Sequence, residues 1–288
     1  FFEPDTRNTR LAISSFHTHI IGADRPVGRY ISRLMAEQNL IHRGVSIAST
    51  ERPMLQSSAR PVYVISPALN EDTDVESAKF WIGRAQEEGA LVVLLSTLHR
   101  YLGGKETVTE QYAADNTSAL SEAFAELEML AAENPQHIIL RVGQLLTLDG
   151  SDFASRILSV IRSEPTLALD MQREFEPTPV DDVAIVVLAM LRQIHLADDL
   201  WGTYHFSGVE AVSSYTFAEA LLAEARQFED LTAVELTTQE GGMTPEVWAP
   251  VADHTALFHT FGIKNKAWRQ GLARLVRAYY HDPSKETA

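Results

Sequence analysis

Five short, almost uninterrupted apolar runs punctuate the first half of the chain, and most of the intervals between them carry helical spacing. His17–Ile21 stops at Gly22, and Val45–Ala48, Pro61–Ile65, Leu91–Ser96 and His137–Arg141 follow. Strands without polar alternation are buried on both faces, the condition of a parallel sheet covered by helices on each side. Pro26 suits a first helical position, and Val27, Tyr30, Ile31, Leu34 and Met35 then recur with the period of one helix face. Asp74–Glu88 and Ala113–Glu133 read as two further helices. The alternation predicts an α/β fold with a Rossmann-like, doubly wound parallel sheet. One interval departs from it. Only about ten residues separate the second and third runs, whereas a parallel crossover needs about a dozen or more. A helix there is lost or reduced to one turn.

After Gln144 the character changes. Phe153–Ile161, Val180–Ile194, Phe217–Phe228 and Ala267–Tyr280 have helical patterns, Thr203–Gly208 reads as a short strand and turn, and Gly241-Gly242 marks a loop. Tyr204 and His205 lie in that strand as packed or hydrogen-bonded residues. Asp181 and Asp182 open a helix, where acids act as caps.

Charge and composition exclude several classes of function. The 288 residues carry 24 Lys+Arg against 39 Asp+Glu, a net charge of -15. A surface of that sign suits neither nucleic acid nor an anionic membrane. There is no cysteine, so disulfides, thiolate metal sites and cysteine nucleophiles are all excluded. Lysine is confined to positions 79, 105, 264, 266 and 285. No apolar run approaches the length of a transmembrane helix, which makes cytoplasm the default compartment. No G-x-S-x-G elbow supports a hydrolase. His17 and His19, two apart on one strand, face the same side but lack a third metal ligand.

Several strings, in order, resemble the extended short-chain dehydrogenase/reductase superfamily, and within it the dTDP-4-dehydrorhamnose reductase branch of RmlD-like sugar-nucleotide-binding proteins. Phe175–Ala184 is similar to the branch's SPT-x-x-x-D-L-A segment, and Trp201–His205 to its GTYH strand. Phe217–Ala220 resembles the helix that follows, and Thr260–Ile263 with Trp268–Leu272 its C-terminal signature. The resemblance implies a nucleotide-binding Rossmann-like domain over residues 16–144, preceded by an arm at 1–15. Residues 145–288 would form mainly a smaller C-terminal substrate-binding subdomain, with some segments returning to the core. The ligands implied are NADP or NAD and a nucleotide-sugar, held where the strands end.

In the family a G-x-x-G-x-x-G turn lets the backbone approach a pyrophosphate at a helix N-terminus. Gly22 and Gly28 occupy its first and third glycines, and Arg25 replaces the middle one. A side chain there crowds the pyrophosphate, or its guanidinium contacts a phosphate instead. Dinucleotide binding is therefore weakened or lost on one reading and retained on the other. Asp24, Ser66, Ser96 and Thr97 complete the cofactor-side set. Glu51 and Arg52 are candidates for a ribose hydroxyl and a 2′-phosphate. Arg141, at a strand end, and Pro177 are the implied substrate contacts, although Val142-Gly143-Gln144 replaces the family's hydroxyl-rich continuation.

The family's chemistry needs Ser/Thr with a Tyr and a Lys four apart on one helix face. Ser96-Thr97 matches the first pair. Aligning Thr109-Glu110 and Glu128 without a gap puts Leu120 at the tyrosine and Phe124 at the lysine, and neither can donate a proton. Tyr101 and Lys105 fit Y-x-x-x-K literally. They follow Thr97 too closely, and Gly103-Gly104 disfavours the helix that would align them. Tyr112 is a weaker substitute. The expectation is an RmlD-like binding protein that has lost hydride transfer and has a regulatory or scaffold role. One alternative is an NADPH-dependent reductase of a nucleotide-linked 4-keto-sugar that uses Thr97 with Tyr101/Lys105 or Tyr112. The other is a protein-interaction subunit, as a homo-oligomer or with another protein, docked in part through Phe1-Phe2.

Overall fold

The apolar runs pair side by side in the computed structural model, which describes residues 17–51, 60–101, 107–112, 118–194, 196–197 and 199–282. The arm at 1–15, Arg52 and Lys105 lie outside the described residues. Five strands come from the first half of the chain: β1 His17–Ile21, β2 His42–Val45, β3 Pro61–Ile65, β4 Leu91–Thr97 and β5 His137–Val142. A sixth, β10 Gly202–Phe206, returns from the C-terminal half. They form one sheet in the order β10-β5-β4-β3-β1-β2, parallel throughout. Every residue of β3 and β4 is buried, as helices on both faces require.

The helices start where capping chemistry allows. Pro26 opens α1, Pro26–Glu37. Next come α2, Val75–Glu87, and α3, Ala119–Ala132, which is capped by Ser118 accepting the Ser121 amide. α4, Phe153–Ser163, is capped by Asp152. α5, Val180–Gln193, packs on α1, while α2 packs on α3. Three two-stranded ladders organise the C-terminal half. β6 (Gln144–Leu146) pairs with β9 (Pro177–Pro179), β7 (Thr166–Leu169) with β12 (Glu235–Thr238), and β8 (Glu174–Phe175) with β11 (Val212–Ser213). The remaining helices are α6, Ser214–Ala225, α7, Thr255–Phe261, and α8, Trp268–Tyr280. Among the described residues no helix is long and apolar enough to cross a membrane.

Three sequence expectations need correction. The second strand is His42–Val45, not Val45–Ala48. Its register on β1 ends at Ile21↔Val45, and the Gly22 and Ala23 amides both close on the Val45 carbonyl. α6 begins at Ser214 rather than Phe217, because Ser213 accepts the Thr216 amide. Asp181 and Asp182 do not cap α5, whose N-cap is Pro179. Asp181 Oδ1 still accepts the Asp182 amide at 3.1 Å in the first turn, and both carboxylates take the Arg274 guanidinium at 2.7 and 2.9 Å.

The turn from β1 to α1 needs both of its glycines. Gly22 has φ +89°, a region L side chains rarely adopt. A Cβ on Gly28 would sit 2.0 Å from the Gly22 carbonyl oxygen, so α1 lies directly against the turn. Gly28→Ala is expected to lower the unfolding free energy by about 1–3 kcal/mol, read from urea denaturation. An unchanged midpoint would mean that α1 can slide away from the turn.

Candidate functional site

A cavity of about 300 Å³ opens at the carboxyl ends of the strands, between loops of both halves of the chain. One wall is the β1–α1 turn, with Asp24, Arg25 and Arg29, and the β3–α2 loop at Pro67–Glu71. His99, in the single 3₁₀ turn after β4, lies between the walls. The other wall carries Gln144, Thr147, Asp149, Ser151, Asp152 and Arg156, and Glu246. The site is acidic, with five lining carboxylates against three guanidiniums. Each guanidinium already has a carboxylate partner. Arg25 holds Asp74, Arg29 lies 3.8 Å from Asp149, and Arg156 lies 3.2 Å from Glu246. His99 adds no positive charge, because burial pushes its pKa down to about 4. Its Nδ1 is buried with no hydrogen-bond partner.

A dinucleotide pyrophosphate needs free hydrogen-bond donors on the cofactor side. The Gly22 and Ala23 amides serve the Val45 carbonyl, the Arg25 amide serves the Gly22 carbonyl, and Pro26 has none. The Arg25 guanidinium grips Asp74 with two bonds, Nε to Oδ2 at 2.6 Å and Nη2 to Oδ1 at 2.5 Å. Asp74 also accepts the Ala68 amide at 2.9 Å. Its side chain is only 5% exposed. Burial raises its pKa, and the Arg25 and Ala68 bonds more than offset that. Asp24 turns the other way, accepting the Ile47 amide and the Ser46 hydroxyl, each at 2.9 Å. A carboxylate thus stands at both loops beside the turn, and apart from the uncapped start of α1 the donors there are already taken, so the residues fit a pyrophosphate poorly.

The two positions that the resemblance aligns with the family's tyrosine and lysine lie in or against the core. Phe124 is fully buried on α3, and Leu120 packs half-buried against the same cluster. Glu128, one turn beyond Phe124, anchors a buried charge network instead. It accepts the Ser96 hydroxyl at 2.5 Å, Nε and Nη2 of Arg141 at 3.0 and 2.7 Å, and an ion pair from Arg100. Arg141 Nη1 donates to the Tyr101 hydroxyl at 2.7 Å and lies 3.3 Å from His205 Nε2. Burial, then the Arg141 charge, push the His205 pKa down to about 3, so the ring is neutral and can accept from Arg141. Burial raises the Glu128 pKa, but the two guanidiniums outweigh it and leave the group below its ordinary value.

These contacts place the residues expected from sequence. Asp24 and Arg25 line the cavity, whereas Ser96, Thr97, Tyr101, Arg141 and Pro177 do not. Arg141 is corrected from a substrate contact to an internal tie, since its donors face Glu128, Tyr101, Glu110 and His205. Tyr101 is corrected in the same way. It is 2% exposed, with its hydroxyl on Arg141 and its pKa raised by burial. Thr97 is fully buried and accepts the His99 amide at 3.2 Å. Ser66 is fully buried beneath Gly22, and Pro177 is buried in β9. Tyr112 is half exposed, and Glu51 is exposed beyond β2. Among the described residues no group of three His, Cys, Asp or Glu is placed to hold a metal.

Sequence reasoning missed Asp74, Arg100 and the Ser207–Glu176–His254 cluster. In that cluster the Ser207 hydroxyl bonds to the Glu176 carboxylate and lies 2.6 Å from His254 Nε2. Asp74 carried one faint signal, an acid just before a helix.

A family model described as RmlD substrate binding domain matches residues 67–281. The dTDP-4-dehydrorhamnose reductase of Aggregatibacter actinomycetemcomitans is 27% identical over 289 residues, covering 90% of this chain and 98% of that protein. A crystal structure of a dTDP-4-dehydrorhamnose reductase from Clostridium acetobutylicum superposes with a TM-score of 0.74 at 20% identity, covering 91% of this chain and 98% of that one. The dTDP-4-dehydrorhamnose reductase of Bacillus anthracis, solved in complex with NADP, gives 0.71 at 16% identity, with 90% and 96% covered. At such identities the two structures establish the fold.

Proposed function

Because the chain belongs to the RmlD substrate binding domain family, we propose that it is a sugar-nucleotide-binding protein that no longer transfers hydride and has a regulatory or scaffold role. One observation carries the reading. The two helix positions that the resemblance assigns to the proton donor and its lysine are Leu120, half-buried against the core, and Phe124, buried within it. Reduction of a ketone needs a proton delivered at the carbonyl oxygen as hydride arrives at carbon. Tyr101, which follows the Ser96-Thr97 strand end in sequence, has its hydroxyl on Arg141 and does not line the cavity. The opposite wall supports binding, since it brings Gln144, Thr147 and Ser151 to the cavity, and the two hydroxyls, which donate to Asp149, can still accept from a sugar.

The test follows NADPH absorbance with dTDP-4-dehydrorhamnose, the compound named for the relatives, alongside calorimetric titration with dTDP-rhamnose. The expected result is heat of binding from dTDP-rhamnose and NADPH oxidation no faster than the protein-free blank. Oxidation above the blank that Tyr101→Phe abolishes would establish the reductase reading in its place.

A further inference from the structure

The two aspartates on the cofactor side have a shared geometry that goes beyond the missing proton donor. Asp24 Oδ1 and Oδ2 take the Ile47 amide and the Ser46 hydroxyl just past the end of β2. Asp74 takes the Ala68 amide and both bonds of the Arg25 fork at the β3–α2 loop. These two loops and the β1–α1 turn frame the nucleotide half of a doubly wound fold. Their amides, hydroxyl and guanidinium are the groups that would receive phosphate and ribose oxygens.

We propose that Asp24 and Asp74 are built-in anions that occupy the dinucleotide half of the cleft, so that the loops keep their shape with no cofactor and NADPH is rejected. Three features support this. The paired contacts are charge-assisted and bidentate, the strongest class of side-chain hydrogen bond. Asp74 is nearly buried, so a phosphate cannot displace it without exposing β3–α2 backbone. Both guanidiniums of the cofactor-side wall, Arg25 and Arg29, already face a carboxylate, Asp74 and Asp149. The inference concerns cofactor binding alone, and does not depend on whether a proton donor survives elsewhere.

The test uses the full chain and its Asp24→Asn/Asp74→Asn double variant. Each change is isosteric and removes one negative charge, leaving Arg25 free to meet a phosphate. Calorimetric titration of the native protein with NADPH and with ADP should give no heat at millimolar ligand. The variant should bind both at least about tenfold better, and the gain should shrink as salt rises. Micromolar NADPH binding by the native protein would overturn the proposal. So would a variant that melts cooperatively and gains nothing. If the variant does not fold, amide exchange in the native protein decides. Ligand-free protection of the Ile47 and Ala68 amides supports the built-in anions, and free exchange at both refutes them. NADPH binding without turnover would sink this inference and leave the proposed function standing, whereas turnover would sink both.

Discussion

Glu128→Ala should remove about 3–5 kcal/mol of folding free energy, the cost of leaving buried charges without their partner. The side chains of Arg100, Arg141 and Glu128 are 7%, 10% and 7% exposed. Without the carboxylate, two guanidiniums remain in the interior with only neutral acceptors. Against a typical total of about 5–15 kcal/mol, that loss leaves the protein near its unfolding limit at room temperature. Urea denaturation reads the change. A loss below about 1 kcal/mol would mean that water reaches the network and screens it.

The same network sets a dependence on pH. Glu128 has its pKa depressed from the ordinary 4.5, so its contribution is complete above that value and is lost as pH falls through the lower folded-state value. The buried histidines act earlier and in the same direction. Burial pushes His19, His99 and His254 down to about 4 and His205 to about 3, against an ordinary 6.5. The unfolded chain therefore binds more protons as pH drops below 6.5, and stability falls from there. Denaturation midpoints should decline steadily from pH 6.5 downward, and in Glu128→Ala the further steepening below about 4.5 should shrink to the part that other carboxylates with depressed pKa values, Asp74 and Glu229 among them, contribute.

Trp268→Ala should cost a similar amount, about 3–5 kcal/mol, for a different reason. The indole is fully buried at the start of α8, 5.6 Å from the Phe217 ring. Phe217 in turn contacts Phe153 and Phe175 at 5.8 and 5.6 Å, so the residue closes an aromatic cluster built from α4, β8, α6 and α8. The indole N–H also donates to the Glu210 carbonyl at 2.9 Å. Glu210 has φ +82°, a strained setting for a side chain with a Cβ. The contact therefore fills space and also pins an unfavourable turn. Trp268→Phe separates the two roles. It keeps most of the apolar volume and loses the N–H, and should cost only about 1 kcal/mol. Equal losses for the two variants would show that the hydrogen bond to the turn dominates.

What the sequence made legible follows physical lines. The inner strands are apolar on both faces, so Pro61–Ile65 and Leu91–Thr97 announce themselves whatever their neighbours do. β2 does not. As an edge strand it carries His42, Arg43 and Gly44, and only pairing with β1 makes it a strand. Ile47 looked like strand core and is fully buried, but in a turn fixed by Asp24. In the site, the spacing of Gly22 and Gly28 was readable because local backbone geometry demands glycine. The Arg25–Asp74 pair was not, since nothing local links residues 49 apart. Arg141 was placed correctly at a strand end, but its direction depends on Glu128 from a neighbouring helix. Phe124 read as core because an apolar residue at helical spacing carries its own evidence.

The place of β10 in the sheet has a consequence for how the protein is made. It is the outer neighbour of β5, yet it is encoded at residues 202–206, long after β5 ends at 142. During synthesis from the N-terminus, β1 to β5 can pair while β10 is still untranslated. Throughout that interval β5 is an open edge with buried-type side chains and a row of unpaired backbone groups, the kind of template that recruits foreign strands. A chain in which β5 has paired with β4 while β10 is still unavailable therefore exposes an edge that the finished protein covers.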